Sequence, residues 1–249
     1  LQIWLSLRKL LLKQRQINLL RHLANLFSKL FSKENKLKKS GLLDKKSDVH
    51  SHILYGVDDG VQQLEESLQI LRELENLGIE NLWCTPHIME DIPNQTNFLQ
   101  ERFLQLKQAY KGKIQLHLAA EYMIDNVFNE RLSNKDLLPH GELKNHLLVE
   151  TSYFNPPLNL EETLQEIYSI GYYPLLAHPE RYAYMEDNDY IRLKSNGIKF
   201  QLNLLSLKGM YGKTAQKKAE WLLSKNYYDQ VGSDIHSIHQ IHALKDLLK

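Results

Sequence analysis

With 249 residues, 43% of them apolar and 24% charged, the chain can build one or two domains around a sizeable core. A single cysteine, Cys84, excludes an internal disulfide framework and fits a reducing, cytoplasmic setting. The net charge of +1 hides a split. Residues 1–47 hold twelve Lys and Arg against Glu34 and Asp44, leaving 19 basic and 28 acidic residues in the remainder, a body that disfavours nucleic acid as a partner.

Residues 1–46 are leucine-rich but interrupted by Arg8, Lys9, Lys13, Arg15 and Arg21. No run there approaches the roughly 20 uninterrupted apolar residues of a spanning helix. Ile3, Leu7, Leu10, Ile17, Ala24, Phe27 and Leu30 loosely follow a helical stripe. The segment reads as an interfacial amphipathic helix in peripheral contact with an anionic membrane, as a solvated extension, or in part as an artefact of translation, since no Met precedes Met89. The second domain is expected over 47–249.

From residue 47 onward, apolar or β-branched runs alternate with helix-patterned segments. Strands are expected over 47–52, 81–85, 114–121, 146–150, 173–178, 198–203 and 228–234, and helices near 62–77, 96–111, 160–170, 187–196, 213–225 and 238–248. Leu68, Leu71, Leu74 and Leu77 form a stripe closed by Gly78, a helix stop. Such alternation predicts parallel β/α units, arranged as a barrel or as an open doubly wound sheet.

The chemistry collects at the ends of the expected strands. Asp48-Val-His50-Ser-His52 closes the first and is followed by Asp58-Asp59-Gly60. Side chains two apart on a strand share a face, so His50 and His52 point the same way. His87 follows the second strand, Glu121 ends the third, Glu150 the fourth and His178 the fifth; Asp234 and His236 end the seventh with the same two-apart spacing. Nine imidazole or carboxylate groups thus fall at the carboxyl ends of six strands, where barrel enzymes build their sites. Two or three metal ions would neutralise such a set, and without thiolates the candidates are Mn, Fe, Zn or Mg, the mixed donors favouring the first three. Cys84 is expected in the core. His22, His117, His140, His146, His239 and His242 lack comparable placement. Arg181, three residues past His178, either clamps a phosphate or forms a rim ion pair with Glu180.

These motifs resemble the polymerase and histidinol phosphatase (PHP) superfamily, and within it the bacterial manganese-dependent tyrosine phosphatases of capsule and exopolysaccharide operons, the CpsB/CapC type. The resemblance covers about residues 47–249. It implies a distorted seven-stranded (β/α)7 TIM-like barrel with three divalent ions, Mn or else Fe or Zn. By the family pattern the first ion takes His50, His52, Glu121 and Asp234. Glu121 bridges to a second ion held by Glu150 and His178, and Asp59, His87 and His236 hold the third. Arg181 matches the arginine of phosphate binding and catalysis. The implied reaction is hydrolysis of phosphotyrosine on a protein, a bacterial tyrosine kinase, by a metal-bridging hydroxide. The chain departs from the pattern in one respect: His239 and His242 follow the last strand where a second arginine is expected. The alternatives are a histidinol-phosphatase-like enzyme and a non-catalytic metal-bound adaptor at the membrane. A cysteine-dependent phosphatase is excluded, because an arginine must stand six residues past its nucleophile and Glu90 occupies that position after Cys84.

Overall fold

The computed structural model describes residues 37–44, 46–141 and 145–248. The expected arm at 1–46 therefore lies largely outside the described residues. Two compact units are distinguished, Leu1–Ser40 and Gly41–Lys249, and every described strand belongs to the second. Among the described residues no helix is long and apolar enough to cross a membrane.

Among the described residues, nine strands form a curled, parallel α/β arrangement: β1 (Ser47–Ser51), β2 (Asn81–Cys84), β3 (His87–Ile88), β4 (Gln115–Leu118), β5 (Glu121–Met123), β6 (His146–Glu150), β7 (Tyr173–Ala177), β8 (Lys199–Asn203) and β9 (Gln230–Gly232). One sheet has the order β1-β2-β4 and the other β3-β5-β6-β7-β8-β9, and every pairing within them is parallel. The sequence pattern predicts seven strands. The count differs because β3 lies beyond the expected 81–85 segment, separated from β2 by Thr85-Pro86, and because Ala119-Ala120 breaks the expected 114–121 segment into β4 and β5. Pro86 has no N–H to donate to a ladder. Hydrogen bonds nevertheless span both gaps, from Ala119 N to Cys84 O (2.9 Å) and from Glu121 N to Pro86 O (3.1 Å). At the other edge, Asp234 N donates to His50 O (2.8 Å) and His52 N to Ile235 O (2.9 Å), so the chain after β9 runs beside β1. The buried Asp48 carboxylate reinforces this seam by accepting from Ser233 N at 2.8 Å.

The helices follow the sequence pattern closely. From residue 46 onward, among the described residues, they are α1 (Leu64–Asn76), α2 (Thr96–Ala109), α3 (Asn126–Asn134), α4 (Leu160–Ser169), α5 (Asp187–Ser195), α6 (Leu204–Leu207), α7 (Gly212–Ser224) and α8 (Ile241–Leu248). In α1, Ser67, Ile70, Leu71 and Leu74 are buried, the i, i+3, i+4, i+7 stripe of a helix lying on a sheet. Helix α3 and the four-residue α6 are absent from the sequence expectation. The three asparagines of α3 are poor helix formers. Tertiary contacts supply what propensity lacks: the Asp125 side chain caps it by accepting from Phe128 N, and Phe128, Arg131 and Leu132 are buried.

Two glycines let backbone pass against the histidine pair. A Cβ on Gly232 would collide with the His50 Cβ, and one on Gly60 would collide with His52 O. Gly232→Ala should therefore destabilise the fold by roughly 1–3 kcal/mol, the usual range for overpacking, and displace His50. Chemical denaturation combined with metal-content analysis checks this; an Ala variant with parental stability and metal content would contradict the close approach.

Candidate metal centre

All nine expected side chains converge at the carboxyl ends of the strands. Eight of them fall into three overlapping donor groups: His50, His52, Glu121 and Asp234; His87, Glu121 and Glu150; and His52, Asp59, His87 and His236, with donor atoms within 4.8 Å of one another inside each group. Glu121 belongs to two groups and is fully buried. Its Oε2 lies 3.1 Å from His50 Nε2, 3.3 Å from His52 Nε2 and 3.2 Å from His87 Nδ1. The ninth side chain, His178, joins through the other oxygen: its Nε2 lies 3.0 Å from Glu121 Oε1 and 3.8 Å from Glu150 Oε2. His87 spans two groups, with Nδ1 3.3 Å from Glu150 Oε1 and Nε2 3.5 Å from Asp59 Oδ1. The exposed Asp59 also meets His236 Nε2 at 3.6 Å.

The surrounding shell fixes which nitrogen of each ring faces inward. Gln201 Oε1 accepts from His50 Nδ1 at 2.9 Å, and Asp58 Oδ2 accepts from His52 Nδ1 at 2.8 Å. The main-chain carbonyl of Asp234 accepts from His236 Nδ1 at 2.9 Å. Outer partners of this kind orient imidazole ligands. With both Nδ1 atoms donating, the Nε2 atoms of the two rings face each other across 3.0 Å. His87 Nδ1, Glu121 Oε2 and His178 Nδ1 are buried without a hydrogen-bond partner. Buried polar groups are almost always satisfied, so inward-facing nitrogens and orphaned atoms fit cations held between these side chains.

Two of the donors carry backbone strain. His178 (φ 31°) and Asp234 (φ 52°) sit in the left-handed region, and Pro179 narrows the choices of His178 further. Such conformations cost about 1–3 kcal/mol each and gather at functional sites.

Arg181 joins the cluster through Asp234, not Glu180. Its Nη1 donates to Asp234 Oδ2 at 2.7 Å, beside a second bond from Asn203 Nδ2 at 2.7 Å, so that Asp234 Oδ1 is left facing His50 and His52. Glu180 is buried, accepting from Tyr228 OH at 2.9 Å and Asn203 N at 3.1 Å.

Several participants carry no signal of their own in the sequence. Gln201 and Asn203 stand two apart on β8, the spacing that reveals the histidine pairs, but amides are not metal donors of the type sought. Asp58 occupies the buried orienting position beside His52, while its neighbour Asp59 reaches the exposed group. Nothing in the sequence marks Tyr153 and Tyr211, whose rings flank Arg181. Cys84 is buried in the core, and burial pushes its thiol pKa up, away from nucleophilic use. Of the other histidines, His117 and His140 stack on Trp83, and His239 and His242 are exposed. His22 lies outside the described residues.

Residues 46–243 match the family model described as "Capsular polysaccharide synthesis, CpsB/CapC". Among curated proteins, the chain is 27% identical over 197 residues to the putative tyrosine-protein phosphatase CapC of Staphylococcus aureus, covering 77% of each. It is 29% identical to the tyrosine-protein phosphatase YwqE of Bacillus subtilis, again covering 77% of each. It is 29% identical to the tyrosine-protein phosphatase CpsB of Streptococcus pneumoniae, covering 77% of this chain and 83% of that one. In three dimensions it is similar to a crystal structure from a study of YwqE and CpsB, described there as unique metal-dependent tyrosine phosphatases. The TM-score is 0.73 at 24% identity, over 80% of this chain and 83% of the other.

The electrostatics yield a prediction for metal binding. Burial draws His50 toward its neutral form, but Glu121 and Asp234 outweigh it and push its pKa up to about 9. The same set works in reverse on Glu121, where His50 and His178 overcome burial and hold the carboxyl well below its ordinary range. Without metal, His50 is therefore protonated at neutral pH, whereas a ligand imidazole must be neutral. Binding should release at least about one proton per chain at pH 7 and tighten as the pH rises toward 9. Calorimetric titration with Mn in buffers of different ionisation enthalpy measures both; an affinity independent of pH, without proton release, would contradict the assignment.

Proposed function

The chain belongs to the CpsB/CapC family of capsular polysaccharide synthesis, and from that premise we propose that it is a metal-dependent phosphatase of phosphotyrosyl proteins. One observation carries the reading: donor groups overlap on a buried carboxylate, and an arginine is fixed at their edge. In this proposal the nine strands act as seven staves of a distorted barrel, the domain running over 47–249. His50, His52, Glu121 and Asp234 would hold one ion, Glu121, Glu150 and His178 a second, and Asp59, His87 and His236 a third. His87 also stands close enough to Glu150 to serve the second position. Mixed imidazole and carboxylate donors without thiolate suit Mn, with Fe or Zn as alternatives.

When bound, the ions would supply a water-derived nucleophile at neutral pH and neutralise charge on the phosphoryl oxygens. The chain's own groups do the rest. Asp58 and Gln201 hold His52 and His50 in register. Asn203 and Arg181 pin one oxygen of Asp234. Arg181 brings a positive charge to where equatorial phosphoryl oxygens gain charge during transfer. A phenolate leaving group, with a pKa near 10, departs with less protonation than an alkoxide needs, so the site requires no dedicated general acid for an aryl ester.

The cellular substrate in this reading is a tyrosine kinase of capsule or exopolysaccharide assembly, met in the cytoplasm at the membrane face. The basic segment at 1–46 would favour that location through contact with anionic lipid.

With Mn present, the protein should hydrolyse a phosphotyrosyl peptide in preference to histidinol phosphate, and a chelator should abolish turnover. Arg181→Ala should lower kcat by about 100- to 1000-fold, the scale for removing one preorganised donor from a developing anion. Preference for histidinol phosphate would overturn the tyrosine assignment, and undiminished turnover by Arg181→Ala would overturn the role of the arginine.

A further inference from the structure

Arg181 ends a single 3-10 turn, Pro179–Arg181, and its long side chain has no regular element to fix it. What fixes it is aromatic. The guanidinium carbon lies 4.4 Å from the centroid of Tyr153 and 4.1 Å from that of Tyr211. The rings come from different parts of the chain, Tyr153 from the loop after β6 and Tyr211 from the residue before α7. We infer that Tyr153 and Tyr211 are positioning residues that hold the Arg181 guanidinium for the phosphoryl group. The inference rests on the role given to Arg181 above.

The geometry separates the work of the ring faces from that of the hydroxyls. Both rings are within reach of the attraction between a cation and an aromatic quadrupole. The hydroxyls reach donor carboxylates only at long range, Tyr153 OH to Glu150 Oε2 at 3.4 Å and Tyr211 OH to Asp234 Oδ2 at 3.5 Å, and Tyr211 also bonds with Asn203. Those contacts tether the rings to two donor carboxylates and leave the faces turned to the guanidinium. Burial pushes both phenol pKa values up, so the rings stay neutral and add no charge of their own. Asp234 fixes the remaining freedom by accepting from Nη1. Nη2 and Nε have no hydrogen-bond partner among the described residues, and they are the donors left for an incoming anion. Because the planar fork is held before substrate arrives, no reordering of a flexible arginine is needed at the moment of transfer.

Both tyrosines are only half-buried, so truncating them spares the core. In the Mn-loaded full chain acting on an aryl phosphate, Tyr153→Leu and Tyr211→Leu should each lower kcat by about 5- to 30-fold, the range expected for a cation held over one ring. Phe at either position keeps the face and should restore most of that loss. Combined with Arg181→Ala, each Leu substitution should cost less than about twofold more, since residues acting through one group are not additive. Calorimetry with inorganic phosphate gives a readout independent of turnover: affinity should fall in the Leu variants but not fall further when they are added to Arg181→Ala. If a Leu variant unfolds, Tyr153→Met or Tyr211→Met takes its place, since it keeps side-chain bulk without a ring face, and the same losses are expected. Leu variants with parental kcat, or losses that multiply in full with Arg181→Ala, would overturn the clamp while leaving the phosphatase reading intact. Parental turnover by Arg181→Ala would instead bring down the role of the arginine and the clamp with it.

Discussion

Glu121 is a carboxylate almost wholly removed from water, and the rest of the centre answers to that fact. A buried carboxylate without compensation is too costly for a folded chain to carry. Four imidazoles, from His50, His52, His87 and His178, therefore press on its two oxygens, and they arrive from three separate segments of chain. Those segments must end at one level for the rings to meet. The parallel pairing from β1 round to β9, with the bonds of Asp234 and His52 across the seam, sets that level. A shift of one residue in any of these strands would turn its donors to the other face.

The arrangement is expensive in the protein alone. Two donors adopt left-handed backbone, imidazole nitrogens crowd within 3.0 Å of each other, and polar atoms are buried without partners. None of this helps folding. The crowded nitrogens and unpartnered atoms would be relieved by positive charge between the donors, which would couple occupancy of the centre to stability. The outer ring of Asp58, Gln201, Asn203 and Arg181 follows from the same need, since it decides which atom of each donor faces inward. Arg181 serves both sides of this boundary. It restrains Asp234 through Nη1, and the rings of Tyr153 and Tyr211 flank its guanidinium.

Much of this is legible in the sequence, for a physical reason. Strand ends place chemistry, and period-two alternation places side chains on a face, so His50 with His52 and Asp234 with His236 read as pairs without knowledge of the fold. The six helices with an apolar stripe are equally visible. What the sequence hides depends on tertiary context. Helix α3 has a weak intrinsic preference and is held by the Asp125 cap and the buried Phe128, Arg131 and Leu132. Strand β3 beyond Thr85-Pro86 and the break at Ala119-Ala120 turn seven expected strands into nine, and only the register of neighbouring strands shows that the pairing resumes. Gln201, Asn203 and Asp58 stay hidden because a ligand pattern selects donors to metal and these residues orient such donors. The aromatic flanks of Arg181 come from two loops with no shared periodicity, so no spacing in the chain joins them.

The central claim is that Glu121 lies between adjoining ion positions and is shared by them. Elemental analysis of Mn-loaded protein, set against the Glu121→Ala variant purified in the same way, tests it most directly. One ion for each of the three donor groups is the expected content of the parent. The variant should lose more than one ion per chain while retaining its helical circular dichroism. A parent that is active with a single ion, or a Glu121→Ala protein that keeps the full complement, would contradict a centre organised around this carboxylate.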